Sequence, residues 1–507
     1  MSPEKKDIYS YHTFILPFVF EKPVEWRKEE PDSRGKWQRC VLKEGSHLIP
    51  DHELYSIDYA TLRYFTPEAR ELLFGMKNPK KGHAFLSIRK DAIYCITKGT
   101  QTYKLPIHHI HILRLDNGVA LLVLEIENCD YHSPEDVRNI NEYGRRLNPT
   151  TLGNKDPLTA DHLSLRGVGL EFTGSGQNFS IWRNNLASAE DMPKPSFWKS
   201  ILRKMRNAKN ESEAPLVASP ILNIIKDFAG PNNSITPITD DQMFVYSMIC
   251  CKELAQELKT FSSEHNSQTT DFNKLLHSAY GEDIRTPHAG SRTQAALLHD
   301  CMYDRWQDAG VIDVITENSF FRYVDSDSQE ADKLRDLFRN QHCYLTMIAI
   351  LQQATITRFF NRSREISIRL NESLTKHHKV DRNCRKDVEK LYSDFVKADS
   401  SLFIHQISVQ SSGVEEFSLL MRKLKIDEDL ANLKEKIHNL YELSRLYVEQ
   451  RENTLLGIIA IIGLPLTLIP LLWDLLVFFE VATLPAAVAL CLLGLLVSMF
   501  TLYKYRK

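Results

Sequence analysis

Two long charge-free runs at the C-terminus constrain this chain more than any other feature. Residues 454–473 read TLLGIIAIIGLPLTLIPLLW, and residues 481–503 read VATLPAAVALCLLGLLVSMFTLY. Each run reaches the roughly 20 apolar residues that a helix needs to cross a bilayer, and Asp474 and Glu480 lie between the runs. The sequence therefore predicts two transmembrane helices joined by a short acidic loop. The alternative is a buried hairpin in a soluble core, where helices rarely avoid charge for so long.

The charges around these runs predict their orientation. The chain ends on Lys504, Arg506 and Lys507, and basic flanks favour the cytoplasmic side. Two spans return the chain to its starting side, and the first ten residues, MSPEKKDIYS, have no signal-peptide pattern. We therefore expect a multi-pass protein of the inner (plasma) membrane, with two spans and both termini in the cytoplasm. Nine cysteines without zinc-site spacing fit reduced thiols there.

One helical face of the first run is polar at both ends and apolar in the middle. Residues at steps of three or four share a face of a helix, and here they are Gln450, Asn453, Leu456, Ala460, Leu464, Thr467, Leu471 and Asp474. Arranged around a symmetry axis, this face would line a pore with an apolar constriction and a carboxylate ring that attracts cations. The pattern favours a pore in a homo-oligomer, and the alternative is a plain membrane anchor.

The remainder of the chain divides by composition, and 507 residues are too many for one compact domain. Residues 1–185 predict an α/β domain whose helix opens with the capping pattern Ser133-Pro134-Glu135-Asp136. The predicted strands are 13–20, 84–88, 92–97, 107–115 and 119–126. Residues 186–240 predict a linker or insertion, 241–330 a second part of the α/β region, 331–453 a helical stalk, and 454–507 the membrane helices. The predicted fold class is thus α/β, followed by a long α-helical stalk and two C-terminal transmembrane helices.

This arrangement resembles the CorA family of divalent-cation channels. The stretch GIIAIIGLPLTLI, residues 457–469, is similar to the first membrane helix of that family, and a short acidic loop and a basic tail follow in the same order. The resemblance implies a funnel-shaped homopentamer whose first span lines the pore. The family's Gly-Met-Asn signature is absent, and Asp474-Leu475-Leu476 stands at the equivalent place. The resemblance therefore does not imply magnesium selectivity.

The length of the chain carries a second resemblance. Ordinary CorA members are much shorter, and the extra residues lie in the N-terminal part, where a regulatory ligand would bind. A long chain without the signature resembles the CorA-like effectors encoded beside type III CRISPR systems. That resemblance implies an antiviral channel gated by a nucleotide second messenger, in some members a conjugate of S-adenosylmethionine and AMP. Two alternatives stay open: a divalent metal cation transporter with altered selectivity, and a membrane-anchored enzyme or sensor without a pore.

Candidate ligand-binding residues lie in the N-terminal region. Side chains that would pair with phosphate or stack on a base are Arg145, Arg146, Arg166, Trp182 and Arg183. The glycines that follow Arg166 are not part of a phosphate-binding loop, because no Lys-Ser/Thr follows them. A net charge of −2 argues against a chain-wide nucleic-acid surface. The expected partners are therefore a nucleotide-type small molecule, further copies of the chain and the lipid bilayer, with no direct nucleic acid.

Asp427 and Asp429 at the start of the stalk are candidate ligands for a divalent cation held between copies of the chain. Acidic residues there also match the positive end of the helix dipole, which needs no ligand and is the favoured interpretation.

Other candidate residues point to no chemistry. His108, His109 and His111 lie in a predicted strand, and no acidic or cysteine partner stands at a fixed spacing from them, so we expect ordinary strand histidines. His299-Asp300 lacks the further His and Asp that a metal phosphohydrolase requires. The sequence therefore predicts no catalytic residues and a protein that is not an enzyme.

Overall fold

A computed structural model describes much of the chain as two compact units. The first unit comprises Met1–Arg358 and Lys397–Leu430, and the second comprises Phe359–Val396 and Ala431–Lys507. The described residues are 8–20, 38–40, 59–74, 85–87, 92–98, 101–115, 117–147, 165–172, 221–222, 224–225, 235–239, 242–251, 296, 299–326, 331–377, 381–478, 485, 488–489 and 492.

A ten-stranded mixed sheet runs through the first unit. Nine strands lie side by side in the order β10 (Met302–Tyr303), β11 (Val311–Ile315), β12 (Ser319–Val324), β9 (Phe244–Cys250), β1 (Ser10–Phe20), β6 (Val119–Asn128), β5 (Gln101–Arg114), β4 (Ala92–Lys98) and β7 (Leu165–Phe172). The tenth strand, β8 (Ile235–Pro237), pairs with β1. Strands β9 and β12 are parallel, and the other neighbours are antiparallel. A separate two-stranded sheet joins β2 (Gln38–Cys40) to β3 (Phe85–Ser87).

The strands predicted from the sequence coincide with β1, β3, β4, β5 and β6. The largest difference is at β5, which begins at Gln101 rather than at residue 107. The added segment alternates as a strand with one buried face does: Tyr103 and Leu105 are buried, while Thr102 and Lys104 are exposed. The polar half of the alternation hides this segment from a search for apolar runs.

Eight α-helices are described: α1 (Tyr59–Tyr64), α2 (Pro67–Phe74), α3 (Pro134–Gly144), α4 (Ala331–Leu337), α5 (Cys343–His377), α6 (Arg382–Leu402), α7 (Ser411–Lys423) and α8 (Ile426–Phe478). A π-helical turn, Phe338–His342, joins α4 to α5. Helix α3 begins as predicted, because the Ser133 side chain accepts hydrogen bonds from the backbone N–H groups of Glu135 and Asp136. Helices α4 to α7 and the first part of α8 lie within residues 331–453.

Both faces of the central strands are covered within the first unit. On one face, Phe14 and Leu124 cluster with Ile140 of α3, and we call this the α3 face. On the other face, Tyr246 of β9 stacks on Phe338 with 4.1 Å between ring centroids, and we call this the π-turn face. Successive strand residues point to opposite faces. A buried polar residue in a central strand therefore lies on the side of α3 or on the side of the π-helical turn.

The second unit is helical. Tyr392 of α6 stacks on Tyr441 of α8 with 4.5 Å between ring centroids. Leu433, Ile437 and Leu440 follow one another at steps of three or four residues along α8, and all three are buried, as a helix that packs along one apolar stripe requires.

The structure contradicts the membrane part of the predicted fold class. Within the described residues, no helix has both the length and the apolar character needed to cross a membrane. Residues 454–473 are the end of helix α8, whose earlier turns carry many charges, and only four residues of the second run are described. The two C-terminal transmembrane helices, and with them the CorA-like funnel, the channel and the two-span inner-membrane location with cytoplasmic termini, are therefore wrong as predicted.

Candidate metal centre

A β-bulge in β5 places two consecutive histidines on the π-turn face of the sheet. The register between β5 and β6 shifts between Ile107 and His109, so that His108 is an extra residue in the ladder. A bulge of this kind lets neighbouring side chains share a face instead of alternating. Ile107 faces the α3 core, whereas His108 and His109 lie near Glu125 of the adjacent strand.

Glu125 completes a set of three metal-ligand side chains. It lies directly opposite His109 in the ladder between β5 and β6. One ligand atom from each of His108, His109 and Glu125 lies within 4.8 Å of the other two, and this is the only such group among the described residues. Zinc holds nitrogen and oxygen ligands at about 2.0–2.2 Å. Ligand atoms at that distance from one ion lie about 3.4 Å apart in tetrahedral geometry, so the three side chains would have to draw together to bind it.

A second carboxylate orients one of the histidines. His108 Nδ1 lies 3.1 Å from Glu127 Oε1, two residues along β6 from Glu125. Histidines that bind metals usually donate their other ring N–H to a carboxylate, which fixes the ring and its tautomer. With Nδ1–H directed at Glu127, Nε2 is the nitrogen of His108 that would bind a metal ion. The side chain of His108 is 36% exposed, so an ion has access from solvent.

Side chains from the two neighbouring strands, β1 and β5, lie against Glu125. The hydroxyl of the buried Tyr11 donates to Glu125 Oε2 at 2.6 Å, and His111 Nδ1 lies 3.6 Å from Glu125 Oε1. Burial raises the pKa of Glu125 to about 7, against the opposing effects of the Tyr11 hydrogen bond and of Arg339. Burial also lowers the pKa of His111 to about 3, with a further contribution from His109. His111 thus stays neutral, and a cationic partner would stabilise the charged form of the Glu125 carboxyl group beside it.

Arg339 of the π-helical turn is the cation that faces this group. Its Nη2 lies 3.2 Å from Glu127 Oε1, the same oxygen that His108 contacts. Its guanidinium lies over the ring of Tyr11, 4.6 Å from the centroid. Burial opposes the charge of Arg339, but Tyr11, Glu125 and Glu127 outweigh that effect and raise its pKa. One connected polar cluster thus comprises the metal-ligand group, the supporting residues Tyr11 and Glu127, and Arg339.

The interpretation of His108, His109 and His111 as ordinary strand histidines stays a prediction. It found no acidic partner at a fixed spacing in the sequence. The partner instead comes from the next strand, and the Glu125-Ile126-Glu127 pattern at the end of β6 was the available signal. Two carboxylates on one face of an otherwise apolar strand are rarely buried without a partner.

Two of the five predicted nucleotide-binding side chains, those of Arg145 and Arg146, are described. Arg145 Nη2 lies 2.7 Å from Glu142 Oε2, and Arg146 also contacts the carboxylate of Glu142. Both arginines therefore pair with a residue at the end of their own helix α3. Arg166 lies in β7 with its side chain outside the described residues, as are Trp182 and Arg183.

Of the two predicted metal ligands of the stalk, Asp427 is exposed and Asp429 is half-buried. Asp427 Oδ1 lies 3.8 Å from Nδ1 of His405, and both side chains are largely in solvent. Asp427 and Asp429 occupy the first turn of α8, where acidic residues match the helix dipole. No group of metal-ligand atoms is found around them within the described part of the chain.

The predicted pore face lies along α8. Four of its side chains are described, and all are exposed in the single chain: Asn453, Leu456, Leu471 and Asp474. The side chains of Gln450, Ala460, Leu464 and Thr467 lie outside the described residues. Since no helix of the described residues can cross a membrane, the structure does not support a pore along this face.

A chain of polar residues on the α3 face has the order of a serine–histidine–asparagine arrangement. Ser10 Oγ lies 2.9 Å from His12 Nε2, and His12 Nδ1 lies 2.7 Å from Asn141 Oδ1. A catalytic serine must reach its substrate, however, and Ser10 and His12 are completely buried. The arrangement therefore satisfies buried polar atoms and offers no nucleophile to solvent.

Comparison of the chain with family models, curated proteins and solved structures finds no match. The resemblance to CorA-like effectors, the nucleotide messenger, the homo-oligomer and the absence of enzymatic activity therefore stay predictions. The polar cluster around Glu125 is the site that the described geometry defines.

Proposed function

We propose that this chain is a metal-binding protein whose α/β unit takes up one divalent transition-metal ion. The ligands are the imidazoles of His108 and His109 and the carboxylate of Glu125. The observation that carries the proposal is the β-bulge at His108, which brings two imidazoles onto one face opposite a buried carboxylate.

The chemistry of the ligands selects the class of ion. Imidazole nitrogens suit Zn²⁺ and its transition-metal neighbours, whereas Mg²⁺ prefers oxygen ligands and keeps much of its water. Two nitrogens and one carboxylate leave a fourth position for water or a small ligand. The support from Glu127 and Tyr11 is that expected of residues that hold metal ligands in place. Zn²⁺ is therefore the ion with which to test the site.

The test is zinc binding by purified wild-type protein in competition with a chromophoric chelator. We expect His109→Ala and Glu125→Gln each to weaken the tightest zinc site by more than about tenfold. His132→Ala is the matched control, because His132 is exposed and its ring contacts only the main-chain carbonyl of Cys129 among the hydrogen bonds described. Excess Mg²⁺ should not displace the zinc.

The variants are essential because the chain has 18 histidines and 9 cysteines, any of which can take up zinc weakly. Equal zinc affinity in wild type, His109→Ala and Glu125→Gln would refute the proposal. Circular dichroism of each metal-free variant separates loss of the site from loss of the fold.

A further inference from the structure

The π-helical turn Phe338–His342 is an irregularity that faces the metal-ligand group. Such turns are rare and are found disproportionately at functional sites. Tyr246 holds the first residue of this turn, because its hydroxyl donates to the carbonyl of Phe338 at 2.7 Å. At the other end, His342 Nδ1 contacts Glu416 of α7. Arg339 lies between these anchors and contacts the sheet through Glu127.

Arg339 and a bound cation would act on the same carboxylates. Glu127 Oε1 is shared between Arg339 and His108. A metal ion on His108 makes the ring N–H of that imidazole a stronger donor and so draws Glu127 toward the histidine. The ion also repels the guanidinium, which lies in a partly buried place where charges are poorly screened. Both effects weaken the contact between Arg339 and Glu127.

We propose that Arg339 sets the metal affinity of this site and reports its occupancy to the π-helical turn. Without metal, the guanidinium neutralises Glu127 and rests on the ring of Tyr11. With metal, the ion takes over the neutralisation, Arg339 leaves Glu127, and the turn loses its middle anchor. Arg339 is thus a positioning residue of the turn and a competitor of the ion. This inference rests on the proposed function, because it requires that an ion binds.

The test compares zinc affinity and amide hydrogen exchange of the turn in three proteins. Zinc is titrated at about pH 8.5, above the Glu125 pKa of about 7, because Arg339 also helps to keep that carboxyl group ionised. Under this condition Arg339→Gln removes the repelling charge, so zinc should bind about tenfold more tightly than to wild type. Glu127→Gln removes the carboxylate that orients His108, so zinc should bind more weakly. Both variants should raise hydrogen exchange over the turn in the metal-free protein, since each breaks the same contact. Opposite effects on affinity with the same effect on exchange would not arise from general destabilisation.

In wild type, zinc should itself raise hydrogen exchange over the turn, and in Arg339→Gln it should add little. Arg339→Lys keeps the charge and should bind zinc within about threefold of wild type. The inference is overturned if Arg339→Gln binds zinc no more tightly than wild type, or if zinc leaves exchange of the wild-type turn unchanged. In either case the metal site itself stands as long as His109→Ala loses zinc. If wild type binds no zinc, the proposed function fails first, and this inference fails with it.

Discussion

Replacing His12 by asparagine should make the free energy of unfolding less sensitive to acid. His12 lies on the α3 face in a buried chain of hydrogen bonds. Its Nδ1–H donates to Asn141 Oδ1, which leaves Nε2 to accept from the Ser10 hydroxyl. Ser10 in turn accepts from the side-chain N–H of Asn128. A proton on Nε2 would turn an acceptor into a donor in a place where both His12 and Ser10 are fully buried.

The magnitude follows from the pKa of His12. Burial lowers this pKa from 6.5 to about 4, while the hydrogen bond to Asn141 opposes the shift. Between pH 4 and 6.5 the unfolded chain therefore binds more protons than the native protein does. The contribution of a neutral His12 is fully present above pH 6.5 and is lost as the pH falls toward 4. Linkage gives a loss of about 2 kcal/mol at pH 5 from this one residue.

The assay is urea unfolding at pH 7.5 and pH 5, followed by far-ultraviolet circular dichroism. At pH 7.5, His12→Asn should be less stable than wild type by about 1–2 kcal/mol, because part of the hydrogen-bond chain is lost. At pH 5 the difference should shrink by about 2 kcal/mol. His111, which is also buried and neutral, affects both proteins alike and cancels in the comparison.

The same substitution at the exposed His132 controls for the loss of an imidazole as such. If wild type and His12→Asn lose stability in parallel between pH 7.5 and pH 5, His12 is not held neutral by the fold, and the reasoning is wrong.

Two further predictions concern the packing of the first unit. Arg322 is buried and donates from Nε and Nη2 to both carboxylate oxygens of Asp313 at 2.6 Å. Arg322→Met should therefore lower the free energy of unfolding by about 3–5 kcal/mol in a denaturation assay. In the same assay, Arg305→Met at a half-exposed ion pair should have a much smaller effect. At Gly144 an added Cβ would lie 2.5 Å from Phe14 Cζ. Gly144→Ala should therefore destabilise the protein by about 1–3 kcal/mol in thermal unfolding. An unchanged stability would mean that α3 can shift away from the sheet.

The regular part of the first unit could be predicted from the sequence because it obeys two simple periods. Strand β6 is a nearly unbroken apolar run buried on both faces, and such runs are recognised without knowing their neighbours. Helix α3 carries its own start signal in Ser133 and Pro134. The order of the strands could not be predicted. The pairing of β1 with both β6 and β9 joins segments that are more than a hundred residues apart.

The error at the C-terminus has a different origin. Length and lack of charge are necessary for a helix that crosses a membrane, but they do not establish one by themselves. Residues 454–473 do not form a separate apolar helix, because they continue the helix that begins at Ile426 among charged residues. Helix α8 also continues through Pro465 and Pro470, although a proline considered by itself predicts the end of a helix.

The candidate metal site escaped prediction because it depends on two irregularities that face each other. The bulge at His108 adds one residue to a strand, and the turn at Arg339 replaces the α-helical pattern with a wider one. Periods of 2.0 and 3.6 residues assume that neither occurs. Each irregularity costs regular hydrogen bonds, so a fold retains it only where the displaced side chain gains something in return. Here the two displaced side chains, His108 and Arg339, both contact one oxygen of Glu127. That carboxylate therefore links the bulge of β5 to the π-helical turn.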